Sequence, residues 1–211
     1  MPRGRPRTFD EHHALDAAVE VFTRLGYDGA NIAALCRATG LAPQSLYNTF
    51  GDKHTLYCRA MERYGETANL PIMRALEDED DPINALRKFV LAWRRHIGAT
   101  ERDGCLFTIT LAAADRERVP RAPEIAAHFT SRLRSTLAHR AREASAAGHL
   151  PPGSDPDRLA DTLLTLAFGV AVAGRGGIPA TLIDHAVHQG LALIGIEEKP
   201  VTRSGGARRR R

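Results

Sequence analysis

The sequence predicts an all-α protein, in which a three-helix N-terminal domain with a helix-turn-helix precedes a larger C-terminal helical bundle. Apolar residues recur with a helical period in almost every segment of the 211-residue chain, and no segment alternates like a half-buried strand. Glycine or proline stands between the periodic segments and marks their ends. With 43% hydrophobic and 26% charged residues, a chain of this length is expected to bury a substantial core.

The first helix has a predicted start, a predicted buried face and a predicted end. Thr8 and Glu11 have the spacing of a capping box, which places the start of the helix. Gly26 is the expected C-terminal stop. The buried face follows from apolar residues at i, i+3, i+7 and i+10, namely Leu15, Ala18, Phe22 and Leu25.

Two short helices are predicted next. The second helix covers residues 32–38, between the N-cap residue Asn31 and a stop at Gly40. The third helix begins at Pro43, because the missing N–H of proline has no partner in a first helical turn in any case. It is expected to end near Thr49. Two helices joined by a turn at this spacing are typical of a helix-turn-helix.

A longer fourth helix and a helical C-terminal half complete the prediction. Asp52 is expected to cap a helix from Lys53 to about Leu76. The acidic run at 77–81 is expected to be a solvated linker, because like charges at that density oppose helix formation. Five further helices are predicted at Pro82–Ile97, Cys105–Asp115, Pro123–Ala147, Pro156–Gly174 and Pro179–Ile196.

The last two predicted helices have almost no polar face. A helix that is apolar all round must be buried on more than one side. The apolar residues concerned include Leu159, Leu163, Leu164, Phe168 and Val172 in one helix and Leu182, Ile183, Val187 and Leu191 in the other. The simplest second covering is a partner subunit, so we expect a two-fold homodimer. The alternative is that these helices form the centre of the chain's own bundle.

Composition argues against several classes of protein. No apolar run approaches the roughly 18 residues that span a bilayer, and the basic N-terminus lacks the apolar core of a signal peptide. The three cysteines have no C-x-x-C spacing, so neither a disulfide framework nor a structural zinc site is expected, and a reducing cytoplasm is the expected location. The remaining metal-ligand spacings are incomplete sets: His54, Cys58 and Glu62, and His185 and His188. We therefore expect no metal and no cofactor.

The net charge of +4 is concentrated at the two ends. Residues 1–9 carry three arginines and residues 199–211 carry one lysine and five arginines, which leaves the body with a net charge of −5. Basic arms often contact nucleic acid, because each neutralised phosphate releases condensed counterions. For the C-terminal arm, a solvated tail is an equally good interpretation.

The helix-turn-helix has a composition suited to DNA. Residues 31–50 form the predicted motif, and in such a motif the second helix enters the major groove. Leu46 and Phe50 lie on one face and are expected to pack inward. Short polar side chains are left pointing outward, namely Gln44, Ser45, Asn48 and Thr49. Glutamine and asparagine can bond adenine bidentately. Tyr47 can offer its hydroxyl to a phosphate, and Lys53 opens a helix whose dipole also favours one.

A more specific pattern runs from residue 9 to residue 57. Its elements are Ala17-Ala18 and Phe22, Gly26-Tyr27, Ile32 and Leu35, Ala38-x-Gly40-Leu41 and, most diagnostic, Leu46-Tyr47-x-x-Phe50-x-x-Lys53. The pattern resembles the N-terminal domain of the TetR family of transcriptional repressors. The resemblance implies a three-helix DNA-binding domain followed by a C-terminal helical domain that dimerises and binds a small inducer.

The resemblance assigns roles by position in this sequence. It implies that DNA is contacted by Gln44, Ser45, Tyr47, Asn48 and Thr49, with Pro43 and Lys53 on the backbone. Asn31 stands where the family usually has Thr or Ser and caps equally well, and it is counted among the DNA-contacting residues. Ala42 replaces the usual Ser or Thr cap, at a cost of about 1 kcal/mol. The segment with Arg3, Arg5 and Arg7 resembles an AT-hook, so these arginines are expected in an A·T-rich minor groove, and the alternative is an untethered basic tail that only adds non-specific attraction.

The C-terminal half resembles a TetR-type regulatory domain more loosely, through Gly104-Cys105-Leu106 and through the Leu150-Pro151-Pro152-Gly153-x-Asp155-Pro156 motif. The residues assigned to a ligand pocket are Trp93, His96, Cys105, Phe107, Thr108, Phe129 and Phe168, with ordinary core packing as the alternative for each. A helix N-terminus favours the thiolate of Cys105, so thiol-based sensing of electrophiles or oxidants is an alternative function, and a buried inert thiol is the other interpretation.

These patterns predict a homodimeric, ligand-responsive repressor of a pseudo-palindromic DNA operator, released by an unidentified small-molecule inducer. The predicted parts are a basic arm (1–9), a DNA-binding domain (10–53), an effector-binding and dimerisation domain (54–196) and a basic disordered tail (197–211). The residues do not distinguish repression from activation. The competing classes are an enzyme using Cys105 with His96 or His128, for which no phosphate loop, nucleophile elbow or acid pair is present, and a non-specific architectural DNA binder. No enzymatic activity is expected.

Overall fold

The computed structural model describes residues 10–98, 104–113 and 119–196, and these ranges contain helices and no strand. The all-α prediction is confirmed. The arm with Arg3, Arg5 and Arg7 lies outside the described residues, as does the tail at 197–211. None of the described helices is both long enough and apolar enough to cross a membrane.

Helix α1, Glu11–Gly29, begins at Asp10 and not at the capping box predicted around Thr8. The Asp10 carboxylate accepts hydrogen bonds from the backbone N–H groups of His12, at 3.0 Å, and His13, at 3.3 Å. Because these donors have no intrahelical partner, the aspartate satisfies part of the first turn, and Thr8 itself lies outside the described residues.

Gly26 ends the regular part of α1, as predicted. Its φ of 70° and ψ of 178° lie outside the helical region, in a conformation that glycine adopts readily. Leu15, Ala18 and Phe22 are buried as expected. Leu25 was expected on the same buried face but is 39% exposed, because it lies in the turn before the break and borders an open cavity.

Helices α2, Ile32–Thr39, and α3, Pro43–Phe50, form the predicted helix-turn-helix. The Asn31 side chain caps α2 by accepting a hydrogen bond at 2.8 Å from the N–H three residues later. Gly40, with a φ of 72°, makes the left-handed turn between the helices. Ala42 precedes α3 and provides no side-chain cap, as its methyl group dictates.

The single helix predicted from Lys53 to about Leu76 is wrong. The chain forms α4, Lys53–Glu66, and a separate α5, Leu70–Glu77. Pro71 explains the break, because it has no N–H and its ring would clash with the carbonyl of Thr67 in a continuous helix. Proline is accepted in the first turn of α5 for the same reason.

The remaining helices follow the predicted order, and their ends differ from the predicted positions by at most three residues. They are α6 (Pro82–Gly98), α7 (Leu106–Ala112), α8 (Arg121–Ala146), α9 (Pro156–Arg175) and α10 (Ala180–Leu193). Helix α7 is shorter than predicted at both ends, and Cys105 has an extended conformation as its N-cap residue.

The acidic linker between α5 and α6 is fixed to the bundle, although it was expected to be merely solvated. The Arg140 guanidinium on α8 donates to the backbone carbonyls of Leu76, Glu77 and Glu79 at 2.7, 3.0 and 2.9 Å. Leu76 and Glu77 are the last residues of α5, so the cation satisfies acceptors at a helix C-terminus and, through Glu79, one acceptor of the linker.

Helix α4 belongs to the packing of both halves. On one side the rings of Tyr57 and Phe22 of α1 lie edge to face, 4.7 Å between centroids. On the other side the Tyr57 hydroxyl and Thr110 Oγ1 of α7 are 2.8 Å apart. Burial raises the pKa of the Tyr57 phenol, so it remains neutral. The core is therefore continuous from the helix-turn-helix into the bundle.

Candidate nucleic-acid interface and effector cavities

The outward face of α3 is polar and exposed. Leu46 and Phe50 are buried, as predicted, and this burial turns Gln44, Ser45 and Asn48 toward solvent. Gln44 Nε2 donates to Asn48 Oδ1 at 2.9 Å, so the two amides hold each other one turn apart. The free amide edges of such a pair have the donors and acceptors that read an adenine edge.

The other predicted contact residues of α3 differ in exposure. Tyr47 is 44% exposed, so its hydroxyl and ring can both be reached from solvent. Thr49 is only half-buried, and its backbone carbonyl accepts a long hydrogen bond of 3.5 Å from Arg59. Pro43 is exposed at the first position of the helix.

Residues at the starts of α2 and α4 flank this face in the sequence. Asn31 is exposed, but its side-chain oxygen is engaged in capping α2, which leaves its amide N–H₂ as the group for another partner. Lys53 is half-buried, and its Nζ lies 4.3 Å from the centroid of the Tyr27 ring. Asp52 caps α4 as predicted, accepting from Thr55 N–H at 2.7 Å.

Ion pairs fix α1 against α4, behind the exposed polar face of α3. Arg63 donates to both carboxylate oxygens of Asp16, at 2.7 and 2.9 Å. The hydrogen bond from Arg63 is the main reason that the pKa of Asp16 lies below its usual value. Arg59 pairs with Glu11 and lies over the Phe50 ring, 5.1 Å from the centroid. These contacts make α3 part of a rigid unit with α1 and α4.

Most of the predicted ligand residues lie together as a packed aromatic cluster. Phe107 and Phe129 stack with centroids 4.8 Å apart, and Phe107 meets Tyr64 edge to face at 5.0 Å. Trp93 lies 6.0 Å from the His96 ring. Its contact with Phe168 has a centroid distance of 6.5 Å. Close packing of these rings favours the core interpretation over that of an open pocket.

Polar groups inside the aromatic cluster satisfy one another. His96 Nε2 and the Tyr64 hydroxyl are 2.7 Å apart, and Trp93 Nε1 donates to the carbonyl of Ala167 at 2.6 Å. Burial lowers the pKa of His96 and raises that of Tyr64, so both groups stay neutral. Buried polar groups with partners stabilise a packed arrangement.

Cys105 and Thr108 line a cavity of about 310 Å³ between α7 and α9, and Cys105 also lies against Tyr64 of the aromatic cluster. Cys105 is 1% exposed. Since reactive cysteines are partly exposed, the structure does not support the electrophile-sensing alternative. The Oγ1 atom of Thr108 is buried and has no hydrogen-bond partner among the described residues.

Two further depressions lie on the surface of the bundle. A cavity of about 190 Å³ lies between the end of α1, α4, α7 and the start of α8. An apolar groove of about 650 Å³ runs between α9 and α10. Several large apolar side chains on these two helices and their connection are exposed, namely Val172, Ile178, Leu182 and Leu193.

Two family models match this chain. The model described as bacterial regulatory proteins, tetR family, matches residues 14–60, and the model described as tetracyclin repressor-like, C-terminal domain, matches residues 82–188. The chain belongs to the TetR family.

Curated HTH-type transcriptional regulators are similar to this chain over most of its length. The chain is 32% identical over 157 residues to the uncharacterized HTH-type transcriptional regulator YezE of Bacillus subtilis (strain 168), covering 73% of this chain and 79% of YezE. It is 28% identical over 179 residues to the HTH-type transcriptional repressor ComR of Escherichia coli (strain K12), covering 83% and 84%.

Solved TetR structures share the fold over nearly the whole chain. A cysteine mutant of the TetR family transcriptional regulator CifR, complexed with 26 bp double-strand operator DNA, has a TM-score of 0.73 at 27% identity, with 89% of this chain and 98% of that chain covered. A TetR transcriptional regulator from Chloroflexus aurantiacus has a TM-score of 0.75 at 23% identity, with 87% and 93% covered, and shows the shared fold.

Sequence reasoning missed two residues that organise this TetR chain. Tyr64 joins His96 to the aromatic cluster, and it lies on α4 seven residues after the buried Tyr57, a spacing that marks the same helix face. Arg175, at the end of α9, donates to backbone carbonyls of α1, and no sequence pattern indicates such a distant partner. Within the described ranges, no three His, Cys, Asp or Glu residues are placed to hold a metal ion.

Proposed function

We propose that the protein is a ligand-responsive transcriptional repressor that binds a pseudo-palindromic operator as a homodimer and is released by a small-molecule inducer. The observation that carries the proposal is the exposed polar face of α3, with Gln44, Ser45 and Asn48 outward and Leu46 and Phe50 inward. A short helix held in this way by a helix-turn-helix suits the major groove. The operator complex of the CifR mutant and the repressor ComR support the same function.

The homodimer is proposed from the apolar surface of α9 and α10. Ile178 and Leu182, which line the groove between the two helices, are 44% and 56% exposed, and this groove is almost wholly apolar. An apolar surface of this kind marks an interface in a stable protein. A two-fold axis there would present two copies of α3, and spacing them by about 34 Å would match successive major grooves.

We propose that an inducer releases the protein from DNA by acting on the contacts that join the bundle to the helix-turn-helix. These contacts are the Tyr57–Thr110 hydrogen bond and the Arg175 hydrogen bonds to α1. An effector that binds more tightly to a conformation in which these contacts are replaced by others would change the position of α3. It can weaken DNA binding only by its difference in affinity for the two conformations.

The test begins with selection of duplexes from a random pool by the purified full chain, followed by fluorescence anisotropy at one salt concentration. Asn48→Ala should weaken binding to the selected duplex by about 1–3 kcal/mol, which is roughly five- to 150-fold, because a bidentate base contact is lost. Asn84→Ala is the matched control, since Asn84 is also exposed, on α6. The proposal fails if the selected duplex is bound no tighter than a scrambled duplex.

A second experiment separates the regulator from the non-specific architectural binder. Deletion of residues 1–9 and 199–211 removes nine positive charges. A specific regulator should keep its preference for the selected duplex at reduced affinity, with a smaller salt dependence. Loss of nearly all binding, with no sequence preference left, would instead favour the architectural interpretation.

We also propose Arg3, Arg5 and Arg7 as minor-groove contacts and the cytoplasm as the location.

A further inference from the structure

Arg175 caps the broken end of α1 from the far end of the bundle. Its Nη1 donates to the Thr23 carbonyl at 2.7 Å, and its Nη2 donates to the Arg24 carbonyl at 3.4 Å. Gly26 breaks the helical geometry just beyond these residues, so their carbonyls lie at the end of the regular part of α1, where acceptors need donors from outside the helix. A cation at a helix C-terminus is also favoured by the helix dipole. One side chain of α9 thus holds the helix that packs behind the DNA-reading unit.

The same arginine lines the cavity of about 310 Å³ between α7 and α9. This volume is at the lower end of the range of small-molecule sites, roughly 300–1,000 Å³. Apolar side chains such as Ile109 and Ala171 form most of its wall, and the exposed Val172 and Ala112 border its opening. The cavity therefore combines an apolar body with one guanidinium.

A second polar group in the wall has no internal partner. Thr108 is 6% exposed, and its Oγ1 atom makes no hydrogen bond within the described part of the chain. Leaving a buried hydroxyl unpaired costs free energy, and in most proteins such groups bind another polar atom. Thr108 and Arg175 line the same cavity, and because Thr108 Oγ1 itself is closed to solvent, rotation of the side chain about Cα–Cβ is needed to turn the hydroxyl toward a bound group.

We propose that this cavity is a subsite for a small carboxylate with an apolar body, and that its carboxylate exchanges with the α1 carbonyls as the acceptor of Arg175. This proposal rests on the proposed function, since it names the class of effector and its site. A carboxylate accepts two parallel hydrogen bonds from a guanidinium, and charge-assisted bonds of this kind are roughly twice as strong as those to a neutral carbonyl. The apolar body would occupy the cavity, and the Thr108 hydroxyl, once rotated toward the ligand, would donate to one of the carboxylate oxygens.

The exchange provides a direct link to DNA binding. When Arg175 turns to the effector, the carbonyls of Thr23 and Arg24 lose their cap, and the end of α1 loses a contact with α9. Helix α1 is fixed to α4, which carries Lys53 at its start, so a shift of α1 moves the recognition unit. The effector thereby favours a conformation with weaker DNA binding.

The site is tested first without DNA, with sodium benzoate as the probe and benzamide as its uncharged analogue. Isothermal titration and thermal shift on the full chain should detect benzoate, and benzamide should bind at least about tenfold more weakly, because it lacks the charge-assisted pair. Arg175→Gln should reduce benzoate affinity at least about tenfold, and Thr108→Val should reduce it several-fold. Arg158→Gln is the matched control on the same helix, since the Arg158 side chain is 88% exposed, and it should bind benzoate like the wild type.

The location of binding is read from methyl resonances. Benzoate should shift the methyl signals of Thr108 and Ala171, and it should leave that of Ala186, in the groove between α9 and α10, unchanged. Shifts confined to Ala186, equal binding of benzoate and benzamide, or unchanged affinity in Arg175→Gln would each overturn the inference. If Arg175→Gln were to unfold, Arg175→Lys keeps the charge without the bidentate fork and should bind benzoate with intermediate affinity.

DNA measurements keep this inference separate from the proposed function. Benzoate should weaken binding of the selected duplex to the wild type and have no such effect on Arg175→Gln. If the selected duplex is bound specifically but benzoate does not bind, the inference is wrong and the proposed function stands. If benzoate binds in this cavity but no duplex is preferred, the proposed function is wrong while the carboxylate site remains.

Discussion

Gly65 of α4 lies against the ring of Phe129 of α8, and this contact leaves no space for a methyl group. A Cβ atom added at Gly65 would be 2.1 Å from Phe129 Cζ and 2.4 Å from its Cε1. The ring cannot retreat easily, because its other face stacks on Phe107 at 4.8 Å. We therefore predict that Gly65→Ala forces α4 and α8 apart.

The magnitude follows from two opposing terms. Overpacking typically costs about 1–3 kcal/mol of unfolding free energy. Alanine regains up to about 1 kcal/mol over glycine in a helix. The net loss should therefore reach up to about 2 kcal/mol. In a Phe129→Ala background the clash is absent, so the same Gly65→Ala change should stabilise the protein by up to about 1 kcal/mol.

The assay is urea unfolding of the wild type, the two single variants and the double variant at one protein concentration, since the stability of the proposed homodimer would depend on concentration. The double-mutant cycle should give a coupling free energy of about 1–3 kcal/mol. Additivity of the two substitutions within about 0.5 kcal/mol would refute the packing argument. It would also reopen the interpretation of Phe129 as a ligand contact instead of a wedge between helices.

Three further predictions concern local features. Ala42→Ser should stabilise the protein by about 0.5–1 kcal/mol in urea unfolding, because it supplies the missing N-cap of α3; no gain would mean that Pro43 already compensates. Burial lowers the pKa of His96 in the folded state, so its contribution to stability is present above the unfolded pKa of about 6.5 and is lost as the pH falls through the folded pKa. The melting temperature should fall more steeply for the wild type than for His96→Gln between about pH 7 and 5, and parallel curves would contradict this. The pKa of Asp16 is lowered chiefly by the hydrogen bond from Arg63, so this pair stabilises the fold above the unfolded pKa of about 3.9 and is lost at lower pH. Because the pair is half-exposed, Asp16→Asn should cost less than about 1 kcal/mol at pH 7 and nothing at about pH 2; an equal cost at both values would contradict the assignment.

The helix-turn-helix could be predicted almost completely because its signals are local. Asn31 and Pro43 mark helix starts, Gly40 marks the turn, and the apolar pair Leu46 and Phe50 sets which face is buried. Each signal acts within about one helical turn, so no knowledge of distant residues is needed. The outward direction of Gln44, Ser45 and Asn48 follows from the same pattern.

Two predictions for the N-terminal half were wrong because one local signal outweighed another. Asp10 lies nearer to the periodic segment than Thr8 and takes over the cap. The apolar pattern continues through residues 67–69, so periodicity alone favours one long helix, whereas Pro71 ends it. Proline inside a periodic segment is the stronger signal.

The effector region could be predicted only in composition, because its arrangement depends on contacts distant in the sequence. The sequence supplied Trp93, His96 and Phe107 as candidates, and the structure packs them in a cluster completed by Tyr64. The cavity with Thr108 is separate, and its charged residue comes from the far end of α9. Which ring fills space and which wall stays open is decided by helix crossings, and periodicity contains no information on these.

The central claim is that each operator binds two copies of α3, each with its exposed side in the DNA major groove. Dimethyl sulfate footprinting of the selected duplex tests it, because the reagent methylates guanine N7 in the major groove and adenine N3 in the minor groove. The account predicts two clusters of protected guanine N7 atoms about one helical turn, or 10–10.5 bp, apart, which disappear in Asn48→Ala at the same protein concentration. Unprotected guanines with protection only at adenine N3, or a single cluster, would contradict it.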